Sequence, residues 1–205
     1  MRIRPSGPAA LLVELDDIAQ VQALHAELLR RRTDGRLPAL TEIVPAARTI
    51  LLDGVEDPSA LAAEVVSWPL VPVEAAAGPL VVIPVVYDGE DLTWVAQQWG
   101  VDATGVAAIH GGTVLRAAFC GFAPGFAYLT GLAPRYHLPR RPTPRPRVPS
   151  GAVAVAGEFT AVYPRPSPGG WHLIGRTDTE MWDPSRAEPA LVAPGTRVRF
   201  VPAGP

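Results

Sequence analysis

The chain has 205 residues, 48% of them hydrophobic, with 18 basic and 20 acidic side chains and a formal net charge of −2. That length and apolar share support one large domain or two small ones with a sizeable core. The near-balance of charge argues against a nucleic-acid or anionic-membrane partner, and no apolar run is long enough to span a bilayer.

In chain order, Met1-Arg2-Ile3-Arg4-Pro5 lacks the apolar core and cleavage site of a secretory signal, so a cytoplasmic location is expected. Residues 11–15 read as a short apolar strand. Asp16 or Asp17 then caps a helix with Ile18, Val21, Leu24 and Leu28 at helical spacing, closed by Gly35 and Pro38. His25 falls on its surface. Residues 41–44 and 49–52 are strands around Pro45-Ala46-Ala47. Asp57 followed by Pro58 opens a second helix, with Leu61 and Val65 on one face, that ends at Trp68-Pro69. These elements predict a small α+β domain over residues 1–75, and the Pro- and Ala-rich residues 69–79 read as a linker.

A second domain is expected over residues 76–205. It starts with a strand at 80–86 and a short helix capped by Asp91, carrying Leu92, Val95, Ala96 and Trp99 and ended by Gly100. A further helical turn leads to His110. Strands follow at 114–120, 152–156, 160–163, 171–175 and 197–201. So many short strands between Gly and Pro punctuators predict a closed barrel or a sandwich. Residues 134–149 hold six prolines and five arginines and form either a long ordered arm or a mobile loop.

Chemistry is constrained by what is missing. Cys120 is the only cysteine, which excludes an internal disulfide and a Cys-based zinc site, and its place at the end of an apolar run predicts a buried, inert thiol. All 18 basic residues are arginine. The chain therefore has no Walker-type lysine, no Schiff-base lysine and no lysine to which biotin could be attached. No metal-ligand pattern and no complete catalytic triad appears, so a metal in this chain is not expected.

Two loops stand out. Gly121-Phe-Ala-Pro-Gly-Phe-Ala-Tyr-Leu-Thr-Gly131 places Phe122, Phe126 and Tyr128 among turn formers, either as a plug closing the barrel end or as an aromatic wall for a ligand or partner. Ser167-Pro-Gly-Gly-Trp171 is either a tight turn or a backbone nest for an anion. Arg176, just past that turn, is the best single candidate for an anion contact; of the arm's Arg135, Arg140, Arg141, Arg145 and Arg147, one or two can reach a carboxylate or phosphate. His110 is either a helix C-terminal residue or a general base.

Together these segments resemble the family known as allophanate hydrolase subunit 1, the 5-oxoprolinase B subunit or the Kip-type sensor-kinase inhibitor. The resemblance runs from Ile43-Val-Pro-Ala-Ala-Arg and Gly89-Glu-Asp-Leu92 through His110, the Gly121–Leu132 loop, Val148-Pro-Ser-Gly and Tyr163-Pro164 to Ser167-Pro-Gly-Gly-Trp171 and Ile174-Gly-Arg-Thr177. It implies an α+β fold class: a small N-terminal α+β domain followed by a cyclophilin-like β-barrel. It also implies a subunit that works with a second subunit of related barrel fold, and with a further hydrolase-like component, in an ATP-dependent hydrolase of small amides or lactams, such as 5-oxoproline. ATP is then expected at or near the subunit interface. On that resemblance His110 and Arg176 are the candidate catalytic residues, and Phe122, Pro124, Gly125, Phe126, Arg147, Tyr163, Gly169 and Gly170 the candidate substrate- or nucleotide-binding residues. The family's other known roles leave two alternatives, a module inhibiting a histidine kinase and a carboxyltransferase domain of urea-carboxylase type. The sequence departs from the family pattern at Leu115 and Phe159-Thr160-Ala161, changes expected to make the site more apolar.

Overall fold

Residues 1–72 and 78–204 are described by a computed structural model, which divides into two compact units, Met1–Ala77 and Gly78–Pro205. The expected boundary between residues 75 and 76 and the middle of the expected linker lie outside the described residues.

In the first unit, β1 (Arg2–Pro5), β2 (Ala10–Glu14), β3 (Glu42–Pro45) and β4 (Thr49–Asp53) form an antiparallel sheet in the order β1-β2-β4-β3. Helix α1 (Ile18–Thr33) starts where the Asp17 carboxylate accepts the Gln20 N–H, and α2 (Pro58–Val66) where Asp57 accepts the Ala60 N–H. Leu24 and Leu28 of α1 and Leu61 and Val65 of α2 bury themselves against Leu11, Val13, Ile50 and Leu52 of the sheet. His25 is not on the helix surface as expected. It is half-buried, and burial lowers its pKa. Strand β1 has no apolar alternation of its own; it forms because β2 offers an edge to pair with.

The second unit is a barrel. Its strands are β5 (Leu80–Val85), β6 (Leu115–Cys120), β7 (Ala127–Thr130), β9 (Ala152–Ala156), β10 (Phe159–Val162), β12 (His172–Arg176) and β13 (Arg197–Pro202), with β8 (Arg145–Val148) and β11 (Ser167–Gly169) as a separate two-stranded ribbon. The seven-stranded sheet runs β12-β9-β10-β7-β6-β13-β5, antiparallel except for the parallel β13/β5 pair. Paired hydrogen bonds between Val86 and Arg176, each 2.9 Å, join its two ends and close the barrel. Helices α3 (Leu92–Trp99) and α4 (Ala103–Gly112) pack on this unit and help fill its core, with Val95, Trp99 and Val106 in the same cluster as Ile83, Leu129, Val153 and Phe200.

The run Ala152-Val-Ala-Val-Ala156 is buried on both faces, as its unbroken hydrophobicity requires. Val153 and Val155 point into the barrel core, while Ala152, Ala154 and Ala156 lie under a second cluster with Phe126, Tyr163 and Trp171. Small side chains on that outer face let a layer of aromatic rings settle close to the barrel wall. The aromatic loop therefore covers the barrel's side and does not plug its end. The arginine-rich arm is ordered: β8 pairs with β11, the Arg141 N–H donates to Gly170 O (2.8 Å), and His172 Nε2 donates to Pro139 O (2.9 Å).

Candidate functional site

The loop after β6 reverses direction within three residues. The Ala123 N–H donates to Gly121 O (2.8 Å), and Phe122 holds φ 69°, a γ-turn that is strained for a residue with a side chain. It leaves the Phe122 ring 58% exposed and edge-on to Phe126 at 5.2 Å. Gly125, at φ 79°, takes a conformation other residues resist, and a Cβ there would press on Trp182. Phe126 is fully packed, meeting Tyr128, Tyr163 and Trp171 edge-to-face at 5.0, 5.3 and 5.6 Å.

Above this layer lies a cavity of about 240 Å³ between the aromatic loop, the arm and the β11 hairpin. Its walls are Phe122, Phe126, Tyr128, Tyr163 and Trp171, with Pro144, Pro168, Gly169 and Gly170 closing the rim and Arg140 as the one charged lining residue. Gly169 is required where it stands, because a Cβ would overlap the Tyr163 hydroxyl. Burial raises the pKa of Tyr163, and the Arg140 charge and the Trp171 N–H pull the other way. Tyr128 is likewise raised by burial against the opposing charge of Arg140.

The arm that carries Arg140 is held by a buried carboxylate. Asp91, 7% exposed, faces Arg141 Nη1 at 2.6 Å and Arg145 Nη1 and Nη2 at 2.9 and 3.0 Å. It also accepts the Leu173 N–H at 2.8 Å. Burial pushes its pKa up, but the Arg145 and Leu173 hydrogen bonds and both guanidinium charges outweigh this and hold it below the usual carboxylate range. Asp91 thus stands at the N-terminus of α3, as expected, without using its side chain to cap that helix.

Of the sequence-predicted residues, Phe122, Phe126, Tyr163, Gly169 and Gly170 come together in this cavity. Pro124 and Gly125 shape its loop from behind. Arg147 is exposed and outside the lining, and Arg176 pairs with Asp88 (2.8 Å) beside the barrel seam. His110 lies in the barrel core. Its Nδ1 accepts the Tyr87 hydroxyl (2.8 Å) and its Nε2–H donates to Thr160 Oγ1 (2.9 Å), whose own proton goes to Ala154 O. Thr160 is spent as a donor, so the ring is neutral with its proton on Nε2, and burial lowers its pKa to about 3. Leu115 is part of the barrel core and Phe159 packs on Phe119 and Tyr128, so neither departure from the family pattern changes the lining. Arg140 was one of five arm arginines that the sequence offered for an anion, and Trp171 the end of the Gly-Gly loop, but neither was assigned to the site.

The lining contains no carboxylate, histidine, thiol or aliphatic hydroxyl. The two phenols of Tyr128 and Tyr163 are its only titratable groups besides the Arg140 guanidinium, an arrangement suited to binding a small anion. One guanidinium in about 240 Å³ does not fit a nucleoside triphosphate and its metal. Among the described residues no cluster of three or more His, Cys, Asp or Glu could hold a metal ion, and no helix is long and apolar enough to cross a membrane.

A family model described as "Carboxyltransferase domain, subdomain C and D" matches residues 1–192. The 5-oxoprolinase B subunit of Escherichia coli O157:H7 is 35% identical over 206 residues, covering 96% of this chain and 93% of that protein. The corresponding 5-oxoprolinase B subunit of Haemophilus influenzae is 39% identical over 140 residues, 67% of this chain and 66% of that one. The crystal structure of TTHA0988 superposes with a TM-score of 0.78 at 38% identity, covering all of this chain but only 41% of that one. The Kluyveromyces lactis urea amidolyase shares the fold at 18% identity, with a TM-score of 0.73 over 98% of this chain and 15% of its own. With the family model spanning nearly its whole length, this chain belongs to the carboxyltransferase-domain family, subdomains C and D.

Proposed function

We propose that this chain is the substrate-binding subunit of an ATP-dependent, 5-oxoprolinase-type complex that opens a small lactam, and that it works only with a second subunit of related barrel fold. The observation that supports this is the cavity itself: shaped, aromatic and singly cationic, with no carboxylate, histidine, thiol or aliphatic hydroxyl in its lining. The likeness to proteins named as 5-oxoprolinase B subunits supports the choice of lactam. In this reading the cavity holds the lactam, and the nucleotide and hydrolytic groups come from the partner or from the interface. Arg140 takes the anion-binding role that the sequence suggested for Arg176 or Arg147. His110 acts from within the core, fixing Tyr87 and Thr160, and does not shuttle protons. The complex works in the cytoplasm, which its unpaired Cys120 suits.

Co-expression with the second subunit and the further hydrolase-like component, followed by an assay of ATP- and 5-oxoproline-dependent turnover, tests the proposal. Activity from the complex and none from this chain alone is expected. A complex that hydrolyses neither 5-oxoproline nor a related lactam would overturn it. The exposed, strained Phe122 favours a second reading, a module that docks on another protein such as a sensor kinase. Capture of a kinase dimerisation domain, lost in Phe122→Ala and indifferent to lactam and nucleotide, would select that reading.

A further inference from the structure

We propose that the cavity is a carboxylate-reading site in which Arg140 and Tyr163 contact the anionic oxygens of a small ring acid, so that it takes the closed lactam acid and refuses both its neutral amide and zwitterionic amino acids. The inference rests on the preceding reading only in choosing a lactam as the ring.

The arm's arginines are divided between two tasks. Arg141 and Arg145 are committed to Asp91, and Arg135 lies over the Tyr136 ring at 4.8 Å. Of the arm's arginines Arg140 alone lines the cavity, and no acidic side chain among the described residues pairs with it. Both phenols that share the lining with it, Tyr128 and Tyr163, have their upward shift from burial opposed by its charge. An unpaired guanidinium beside aromatic walls is a site for a planar oxyanion.

Tyr163 supplies the second contact. The Trp171 N–H is directed at its oxygen, and burial keeps the phenol protonated, so its proton is free for an acceptor in the cavity. Gly169 leaves the space in which this hydroxyl sits. A cation and a neutral donor lining one small cavity match the two oxygens of a single carboxylate. The walls beside it, Phe122, Tyr128 and Trp171, are aromatic and suit a flat ring.

The lining also excludes. It has no acid, so an ammonium group entering with the carboxylate finds no counter-charge and must shed its water at a cost. A lactam nitrogen carries no charge and escapes this penalty. Ring opening creates an ammonium and a second carboxylate, so the opened product fits the site worse than the closed substrate. Binding of this kind favours release after turnover.

Isothermal titration of the full chain, and of its complex with the second subunit, against 5-oxoproline, 5-oxoprolinamide and glutamate tests this. The acid is expected to bind at least about tenfold more tightly than the amide or glutamate, the difference of one charge-assisted hydrogen bond. Arg140→Gln and Tyr163→Phe are each expected to weaken the acid by about tenfold and leave the weak amide binding unchanged. Tyr163→Phe removes one oxygen atom and keeps the ring packing, so its melting temperature reports whether the fold is intact. Equal binding of acid and amide, no binding by chain or complex, or full affinity in a folded Arg140→Gln protein would each overturn the inference. Acid-selective binding without turnover would leave it standing and remove the proposed hydrolase function instead.

Discussion

Replacing Asp91 by asparagine removes the charge that latches the Arg140-bearing arm to the barrel. The wild-type carboxylate meets two guanidiniums and the Leu173 amide. An asparagine oxygen can keep one of these contacts. Breaking a fully buried pair costs about 3–5 kcal/mol. The Arg145 side chain is 14% exposed, but Arg141 at 31% recovers part of its hydration, so a loss of about 2–3 kcal/mol is expected. For a chain of this size that lowers the melting temperature by about 5–10 °C. Asp88→Asn is the matched control: its Arg176 partner is an exposed side chain, and the loss should stay within about 0.5 kcal/mol. The effect has a pH signature. Asp91 has a lowered pKa in the folded chain, so its stabilisation is present above the unfolded carboxylate value near about 4 and fades as pH falls through the folded one. Urea denaturation at pH 7 and pH 3.5 reads both, and amide exchange over residues 139–148 should quicken in the variant. A loss below about 1 kcal/mol at pH 7, or one equal to that of Asp88→Asn, would refute the latch.

Other consequences are quickly checked. Gly169→Ala places a methyl group on the Tyr163 hydroxyl, which buried Phe126 and Trp171 keep from moving aside, and should cost about 1–3 kcal/mol and abolish ring-acid binding. His110 is held neutral, with its pKa lowered from the unfolded 6.5 to about 3, so the wild type should lose stability steadily as pH falls through this window. His110→Gln should be less stable at pH 7 and lack that slope, as pH-dependent denaturation would show. Cys120 is only partly buried, short of the full burial expected, yet burial raises its thiol to about 11, so iodoacetamide at pH 8 should label the folded chain far more slowly than the unfolded one.

The first unit apart from β1, which pairs without an apolar pattern of its own, and most barrel strands were legible because their hydrophobic periods and caps are local. Asp17, Asp57 and Gly100 stand where helices begin or end, and Ile50, Leu52, Val198 and Phe200 alternate as half-buried strands must. The helical turn expected before His110 is a full ten-residue helix, obscured by its glycines. Strands β7, β8 and β11 escaped notice for a different reason. Ala127–Thr130 is short and set among turn residues, while Arg-Pro-Arg-Val and Ser-Pro-Gly have no apolar alternation and are strands only because they pair. The aromatic loop and the Gly-Gly turn were visible as composition. Which arginine serves the cavity was not. Arg141 and Arg145 are claimed by Asp91, some 50 residues earlier, and only folding reveals that Arg140 is the one left over the rings. His110 misled because a histidine before two glycines looks available, whereas α4 turns it into the core.

In the proposed function this chain binds a substrate that it cannot transform alone. Measured for the isolated chain, for the reconstituted complex and for the complex carrying Arg140→Gln, 5-oxoproline-dependent ATP hydrolysis should be absent from the first, present in the second and at least about tenfold lower in kcat/KM in the third. Turnover by the isolated chain, or an unimpaired Arg140→Gln complex, would refute the proposed function.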